Sequence, residues 1–342
     1  MNELKLNEIY QGDSCSVLSR WPDSFIQCVI TSPPYWGLRD YGANGQIGLE
    51  TTPDEYVRKI VNVFQHVRRC LKNDGTLWLN LGDSYCGSMF GGIEDNKART
   101  GGGTSLKNHR PSVKIQGLKP KDLVGIPWHV AFALQADGWY LRSDIIWSKP
   151  NVMPESVMDR PTRSHEYIFL MSKSPKYFYN AEAIKEPSIY FNIDKRPSAL
   201  ERARLYDYDT KEKQIRDVVH KNADKQRGYG RRHAGFNDRW DQMNRHEQCS
   251  AMRNKRSVWN IATYPYPEMH FATFPEEIPE MCLKAGTREG DIILDPFMGS
   301  GTTAVVAKRF KRQYMGIELN QKYIELATKR ITNEAEPLLV ET

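Results

Sequence analysis

The chain alternates between short runs of apolar, β-forming residues and longer stretches in which apolar residues recur at helical spacing. The first run, residues 25–30 (FIQCVI), predicts a buried strand. Two prolines, Pro33 and Pro34, follow it, and they cannot continue a hydrogen-bonded ladder. The chain must therefore leave the sheet at the carboxyl end of this strand, which is where open α/β sheets bind their ligands.

A helix is predicted directly after residues 52–55 (TPDE), which have the sequence of a capping box with proline at the first helical position. Residues 73–75 (NDG) are expected to end this helix, before a strand over residues 76–81. Its apolar positions form one stripe, which consists of Val57, Ile60, Val61, Phe64, Val67 and Leu71.

Short apolar runs and apolar residues at helical spacing also predict the remaining strands and helices. Two stretches lack them: residues 84–121 are glycine-rich and predict a mobile surface loop, and residues 185–256 are dominated by charge. Strands that alternate with helices on both sides of the charged stretch predict an α/β fold with one doubly wound sheet and one inserted region. Helices are expected around 130–135, 276–285, 304–311 and up to about 333, and strands at 140–147, 167–172, 291–294 and 314–318.

The net charge of +6 is concentrated in one part of the chain. Residues 201–256 contain 15 Lys or Arg against 9 Asp or Glu, a surplus that equals that of the whole chain. This surplus favours a polyanionic partner, and the alternative is a solvated, partly disordered insertion. Five arginines are candidates for reading guanines or for holding phosphates, namely Arg227, Arg231, Arg232, Arg239 and Arg245.

The sequence shows no signal for a membrane or for secretion. No run approaches the roughly 18 consecutive apolar residues of a membrane span, and the first residues lack the basic and then apolar layout of a signal peptide. We therefore expect a cytoplasmic protein. The 6 cysteines are scattered without a metal-binding spacing, so free thiols and no structural metal are expected.

Residues 291–303 (DIILDPFMGSGTT) predict a strand, a tight glycine turn and the start of a helix. Such glycines let the backbone approach a ligand, and a helix amino terminus favours a carboxylate or a phosphate. Glu318 ends the next strand, 17 residues after Gly301, which is about the distance at which an acid meets ribose hydroxyls in nucleotide-binding α/β folds. This spacing favours an adenosine-containing cofactor over a purely structural turn, without separating NAD from S-adenosylmethionine (AdoMet).

Residues 31–35 (TSPPY) can address an aromatic amino group, whose nitrogen lone pair is delocalised into its ring. Acceptors aimed at the amino hydrogens stabilise the charge that develops as this nitrogen reacts. The hydroxyl of Ser32 is one acceptor, and the carbonyl of Pro33 is a second, which Pro33 and Pro34 hold in a fixed direction. Tyr35 offers a stacking face for a base flipped out of a duplex, and Trp36 is a second candidate for this role. The alternative is a proline-rich loop that only closes a strand.

Together these motifs closely resemble the amino methyltransferases of DNA. Residues 31–35 match the family's catalytic motif, in which Asp, Asn or Ser precedes Pro-Pro-Tyr or Pro-Pro-Phe, and residues 295–303 (DPFMGSGTT) match its AdoMet motif. Residues 270–275 (HFATFP) look like the family's first cofactor motif. The resemblance implies an AdoMet site with Glu318 on the ribose and the further contacts Phe271, Thr273, Phe274, Asp295, Phe297, Gly299, Ser300, Gly301 and Thr302.

The resemblance also extends to residues 146–150 (IWSKP) and 165–167 (HEY), so that it covers nearly the whole chain. Asp13 lies where the family often has an acidic residue near the AdoMet adenine, and it could equally cap a helix that starts near Ser14.

The catalytic motif precedes the cofactor motif, which is the β-class, circularly permuted order of the family. In that order the AdoMet-dependent, Rossmann-like fold has its catalytic half at residues 1–184, its target-recognition region at 185–256 and its AdoMet-binding half at 257–342. The expected partner is double-stranded DNA, and the family context adds a cognate restriction endonuclease that acts on the same site.

Within the family, Ser-Pro-Pro-Tyr is associated mainly with methylation of cytosine N4, and the Asp and Asn forms are associated with adenine N6. Ser32 therefore favours N4 of cytosine, with N6 of adenine as the alternative. A dehydrogenase would leave residues 31–35 and the basic stretch unexplained. RNA and protein methyltransferases usually carry their Asn-Pro-Pro-Tyr after the cofactor motif, whereas here the order is reversed. A non-catalytic DNA-binding relative would be expected to have lost one of the two motifs, and both are intact in this chain.

Overall fold

A computed structural model describes residues 4–86, 117–187, 252–263 and 274–334. It divides the chain into two compact units, one of Met1–Ala183 with Arg256–Thr342 and one of Ile184–Lys255. Most of the predicted surface loop and most of the predicted basic insertion lie outside the described residues. Their assignments as a mobile loop and as a target-recognition region stay predictions.

Within the described ranges, eight strands of the first unit form one sheet in the order β1-β10-β9-β2-β3-β5-β4-β8. β5 runs antiparallel to both of its neighbours, and the other pairs in this sheet are parallel. The strands of this sheet are β1 (Glu8–Gln11), β2 (Ile26–Thr31), β3 (Leu71–Leu81), β4 (Tyr140–Ser148), β5 (His165–Ser172), β8 (Val258–Asn260), β9 (Ile292–Asp295) and β10 (Gln313–Glu318). Two further strands, β6 (Glu186–Pro187) and β7 (Met252–Arg253), form a separate sheet.

Helices cover both faces of this sheet. The described residues form α1 (Ser14–Leu18), α2 (Pro53–Cys70), α3 (Ile126–Ala136), α4 (Glu277–Gly286), α5 (Thr302–Arg309) and α6 (Gln321–Asn333), with a short 3-10 turn at Glu182–Ile184. The first three helices pack together on one face, and the last three pack on the other. Neighbouring residues of β2 accordingly face opposite layers, and all six of its residues are buried. The fold is a mixed α/β fold with a large, mostly parallel sheet, as predicted.

Most predicted elements are present within one to three residues of their expected bounds. The hydroxyl of Thr52 accepts a hydrogen bond from the Glu55 amide at 3.2 Å and so caps α2 as predicted. The predicted end of α2 and the predicted start of the next strand at residue 76 were wrong, because the helix ends at Cys70 and β3 already begins at Leu71. Leu71 is fully buried and pairs in register with Ile26 of β2, so the last residue of the predicted apolar stripe packs in the sheet layer.

The neighbouring strands β9 and β2 mark the point where the sheet changes its winding direction. From β9 the chain continues through α5 to β10 on one side, and from β2 it continues through α2 to β3 on the other. The two strands pair through Cys28 with Ile293 and through Val29 with Leu294. A crevice opens at the carboxyl ends of strands at such a switch point, and this is where open α/β sheets bind ligands.

The second unit is described only at its two ends. β6 and β7 pair antiparallel there, and the Arg253 guanidinium donates to the Glu186 carboxylate at 2.9 Å. Across the described ranges, none of the helices is both long and apolar enough to cross a membrane.

Candidate active site

Asp295 joins the two predicted motifs, although they are far apart in sequence. The hydroxyl of Thr31, at the end of β2, donates to Asp295 Oδ1 at 2.6 Å, and the hydroxyl of Thr303 in α5 donates to Oδ2 at 2.8 Å. The Phe297 amide donates to Oδ1 at 3.0 Å. Asp295 is buried, and burial raises the pKa of its carboxyl to about 6 against the opposing effect of these hydrogen bonds. The start of the catalytic motif is thereby fixed to the start of the cofactor motif.

The two glycines of the turn after β9 have different structural roles. Both have positive φ, +51° at Gly299 and +83° at Gly301. A Cβ atom on Gly301 would lie 2.9 Å from the Cβ of Ala327, so this glycine permits close packing of the turn against α6. A Cβ atom on Gly299 would meet no atom closer than 3.9 Å. The sequence predicts that both glycines let a ligand approach closely. Gly299 fits this prediction because it lines the cleft at the carboxyl ends of the strands. Gly301 faces α6 instead.

The hydroxyls of Ser300 and Thr302 serve the turn itself. The Arg330 guanidinium, from α6, donates to the Ser300 carbonyl at 2.9 Å, to the Ser300 hydroxyl at 2.8 Å and to the Thr302 hydroxyl at 3.2 Å. Both residues are almost fully buried and line the cleft. The arginine therefore holds the backbone at the amino terminus of α5 in place.

Glu318 lies at the end of β10 with both carboxylate oxygens oriented by the backbone. The Gly299 amide donates to Oε2 at 2.8 Å, and the Asn320 amide donates to Oε1 at 2.8 Å. Burial raises the pKa of this carboxyl, and the backbone hydrogen bonds act in the opposite direction. Each carboxylate oxygen has a further lone pair, so this arrangement suits a ribose diol in the cleft.

The cleft at the switch point has a volume of about 790 Å³ and contains most of the predicted site residues. Its lining includes Asp13, Ser32, Pro33, Pro34, Tyr35, Phe274, Asp295, Phe297, Gly299, Ser300, Thr302 and Glu318. Phe271, Thr273 and the arginines Arg227, Arg231, Arg232, Arg239 and Arg245 lie outside the described residues.

Asp13 and Trp36 both have structural roles. The sequence left the role of Asp13 open, and it did not predict that of Trp36. Asp13 caps α1 by accepting from the Ser16 amide at 2.9 Å, and it also lines the cleft. Trp36 is 2% exposed, and its indole donates to the Glu50 carbonyl at 2.9 Å. The suggestion that Trp36 stacks on a base was wrong, because its ring belongs to the core.

The carbonyl groups of the two consecutive prolines differ in their hydrogen bonding. The hydroxyl of Tyr56, which is buried in α2, donates to the Pro34 carbonyl at 3.0 Å. Among the residues that the structure describes, none donates to the Pro33 carbonyl. Pro33 lines the cleft, so its carbonyl has the free acceptor capacity that the sequence predicts, while Tyr56 anchors the next peptide.

A partly buried polar cluster surrounds the Tyr35 hydroxyl. Tyr35 donates to Glu166 Oε2 at 2.7 Å, and the Ser32 hydroxyl donates to the Tyr35 oxygen at 3.1 Å. The Asn80 amide group donates to Tyr35 at 2.7 Å and to Glu166 at 3.0 Å, and Lys149 forms an ion pair with the other Glu166 oxygen. The sequence offers two signals for this cluster: Asn80 interrupts the apolar run of β3, and Lys149 and Glu166 lie in the family-like stretches 146–150 and 165–167.

Gly82 makes room for the Tyr35 ring. A Cβ atom at Gly82 would lie 2.5 Å from Tyr35 Cε2, too close for any side chain. The tyrosine therefore packs directly on the backbone beyond the end of β3, and its position depends on this glycine.

Solved structures of methyltransferases share this fold. A protein described as a putative DNA modification methylase from Thermus thermophilus, solved with S-adenosyl-L-methionine, aligns with a TM-score of 0.54 at 20% identity over 96% of this chain and 93% of its own. The PvuII DNA methyltransferase aligns with a TM-score of 0.57 at 17% identity over 95% and 90% of the two chains. The chain therefore has the fold of these solved methyltransferases.

The sequence comparisons identify the family. The N6/N4 methyltransferase family model, described as DNA methylase, matches residues 26–329. The type II methyltransferase M.SmaI from Serratia marcescens is 44% identical over 96% of this chain and 92% of its own length. M.Cfr9I from Citrobacter freundii is 42% identical over 97% and 90%. The chain belongs to the N6/N4 DNA methylase family and is an AdoMet-dependent type II DNA methyltransferase that acts on an amino group.

Proposed function

We propose that this enzyme methylates N4 of cytosine at a specific DNA site, with the reaction at the carboxyl ends of β2 and β9. One observation carries the assignment of the site: the Thr31 hydrogen bond to Asp295, 2.6 Å long, brings residues 31–35 and the glycine turn into one cleft. An amino acceptor and a methyl donor must meet in such a cleft for direct transfer.

In the proposed reaction, Ser32 and Pro33 bind the hydrogens of the target amino group. The nitrogen forms a bond to the methyl carbon as the methyl–sulfur bond breaks, and the electron pair of the broken bond stays on sulfur. The nitrogen then releases one proton to solvent. Acceptors at Ser32 Oγ and at the Pro33 carbonyl stabilise the positive charge that develops on nitrogen, so the protein needs no general base before the transfer.

In the same proposal, the other half of the cleft holds AdoMet. When bound, AdoMet supplies a methyl group on a positively charged sulfur. Glu318 binds the ribose hydroxyls, and the Gly299 backbone leaves room for the donor along the turn. The apolar side chains of Phe274 and Phe297 also line the cleft.

Ser32 supports cytosine as the target base. Either base needs an acceptor for its amino group, so geometry alone does not choose, and the preference rests on the family association of Ser-Pro-Pro-Tyr with cytosine N4. The PvuII enzyme is named as cytosine-N4-specific, and at 17% identity it supports the fold and not the base. N6 of adenine is the second candidate, since the family includes both activities.

We further propose that the target base is flipped into the cleft and that residues 185–256 read the surrounding sequence. Support comes from the order of the motifs along the chain, which matches the circularly permuted β-class, and from the basic surplus between the two halves. A restriction endonuclease that cuts the same site is the expected partner enzyme, given the type II methyltransferases among the relatives. A DNA substrate also fits the cytoplasmic location expected from the sequence.

Nucleoside mass spectrometry tests the assignment of the base directly. DNA incubated with the enzyme and AdoMet is digested, and N4-methylcytosine and N6-methyladenine are separated and quantified against DNA incubated without enzyme. We expect N4-methylcytosine as the product. N6-methyladenine in its absence would transfer the assignment to adenine, and DNA that gains neither base would refute methylation of an amino group.

A further inference from the structure

The Tyr35 hydroxyl has only one hydrogen, and the structure shows where it points. It is donated to Glu166 Oε2 at 2.7 Å. The Tyr35 oxygen can then act only as an acceptor, and it accepts from the Ser32 hydroxyl at 3.1 Å and from the Asn80 amide at 2.7 Å. The hydroxyl of Ser32 therefore points its own hydrogen toward Tyr35.

Glu166 sets the direction of this chain of hydrogen bonds. Its Oε1 atom pairs with Lys149, and its Oε2 atom accepts from Tyr35 and, at 3.0 Å, from Asn80. A carboxylate paired with a lysine can only accept, so it forces Tyr35 to donate. Burial and the nearby Glu166 charge also raise the pKa of Tyr35 well above its ordinary value, so the phenol keeps its hydrogen.

Asn80 supports the same direction. The side chain is buried, and its amide group donates toward Glu166, toward Tyr35 and, at 3.4 Å, toward the Ser32 hydroxyl oxygen, so that Ser32 is an acceptor here as well. Its Oδ1 atom is buried without a hydrogen-bond partner among the described residues. The reversed amide would place this oxygen against the Glu166 carboxylate, and the repulsion between the two explains why the amide hydrogens face the acid.

We propose that Glu166 is a positioning residue that holds Ser32 in the role of hydrogen-bond acceptor toward the target amino group. Because Ser32 donates its only hydrogen to Tyr35, it can present only lone pairs to the cleft that it lines. An amino group donates hydrogens, and a hydroxyl that also donated toward it would oppose methyl transfer. The proposal rests on the proposed function of Ser32, and in it Glu166 acts on Ser32 through Tyr35, although Glu166 also lines the cleft.

The Glu166→Gln variant tests this role, because the amide keeps the size of the side chain but can donate toward the Tyr35 oxygen. Tyr35 is then free to donate toward Ser32, which reverses the chain. We expect kcat for tritium transfer from AdoMet to duplex DNA to fall by roughly tenfold or more, while the KM for DNA and the affinity for AdoMet keep their parent values.

The Tyr35→Phe variant breaks the same chain and should lower kcat to a similar degree. In the Tyr35→Phe background, the Glu166→Gln change should then add no further loss, which a merely structural role for Glu166 would not produce. Glu280→Gln is the matched control, since Glu280 pairs with Lys284 on α4 outside the cleft, and it should keep the kcat of the parent.

The possible results separate the two levels of the proposal. A parent enzyme that transfers no label to DNA refutes the proposed function. An active parent together with an unchanged kcat for Glu166→Gln, or with losses that add in the double variant, overturns only the role of Glu166. If Glu166→Gln does not fold, as judged by lost AdoMet binding, Tyr35→Phe decides, and a parent-like kcat in that variant overturns the hydrogen-bond chain.

Discussion

Replacement of Asp295 by asparagine is expected to change the pH dependence of the stability of the protein. Burial raises the pKa of the Asp295 carboxyl from 3.8 to about 6. Between these two pH values the folded protein holds a proton that the unfolded chain has already released. The stability that Asp295 contributes is therefore fully present below the unfolded pKa, and it is lost as the pH rises through the folded pKa.

The magnitude follows from the difference between the two pKa values. One pKa unit corresponds to about 1.4 kcal/mol, so roughly two units correspond to about 3 kcal/mol, of which about 2 kcal/mol falls between roughly pH 4.5 and pH 7. Asparagine does not ionise, and it keeps an Oδ1 acceptor for the Thr31 hydroxyl and the Phe297 amide. We expect the free energy of unfolding of Asp295→Asn, relative to the parent, to rise by this amount across the interval.

Urea unfolding followed by tryptophan fluorescence at several pH values measures both free energies. The other carboxyl groups are common to the two proteins, so their pH dependence largely cancels in the difference. Two parallel curves would refute the raised pKa of Asp295. A difference that falls as the pH rises would mean that the folded state favours the ionised carboxyl, which contradicts the effect of burial.

Glu318→Ala should weaken AdoMet binding by roughly tenfold or more, because hydrogen bonds to a charged group are each worth about 1.5–3 kcal/mol; unchanged affinity in calorimetry would remove Glu318 from the site. Gly301→Ala should lower the free energy of unfolding by about 2–4 kcal/mol, because Gly301 has a positive φ and packs against α6. Gly290 has a positive φ but open space around it, so Gly290→Ala should lose only the part of this free energy that comes from the strained backbone. Equal losses in thermal unfolding would contradict the packing role of Gly301. Neutralising Arg231 and Arg232 together should flatten the salt dependence of DNA binding, and an unchanged slope would place the DNA contacts elsewhere.

The sequence predicts the two motifs and their places at strand ends because those signals are local. The apolar run of β2 ends at Thr31, where the prolines begin, and β10 ends at Glu318, as expected from strand periodicity. Helix α2 begins at Pro53, as predicted, because the four consecutive residues 52–55 form its amino-terminal cap. Such elements could be placed from neighbouring residues alone.

The contacts that assemble the site could not be predicted in the same way. Thr31 and Asp295 are 264 residues apart, and no pattern in the sequence around either residue predicts their hydrogen bond. Glu166 could be noted as part of a family-like stretch, but its contact with Tyr35 depends on the antiparallel placement of β5 beside β3. The short strand β1 also escaped prediction, because its partly exposed residues lack a strong alternating pattern.

We propose that Ser32 and Tyr35 address the target amino group in a cleft whose other half binds AdoMet. Tritium transfer from labelled AdoMet to DNA, measured beside calorimetric AdoMet binding, tests it most directly. We predict that Ser32→Ala and Tyr35→Ala each slow the transfer by roughly a hundredfold or more while they bind AdoMet like the parent, because Asp295 and Glu318 shape the AdoMet half of the cleft. Near-normal transfer in both variants would contradict the account and place the chemistry away from the end of β2.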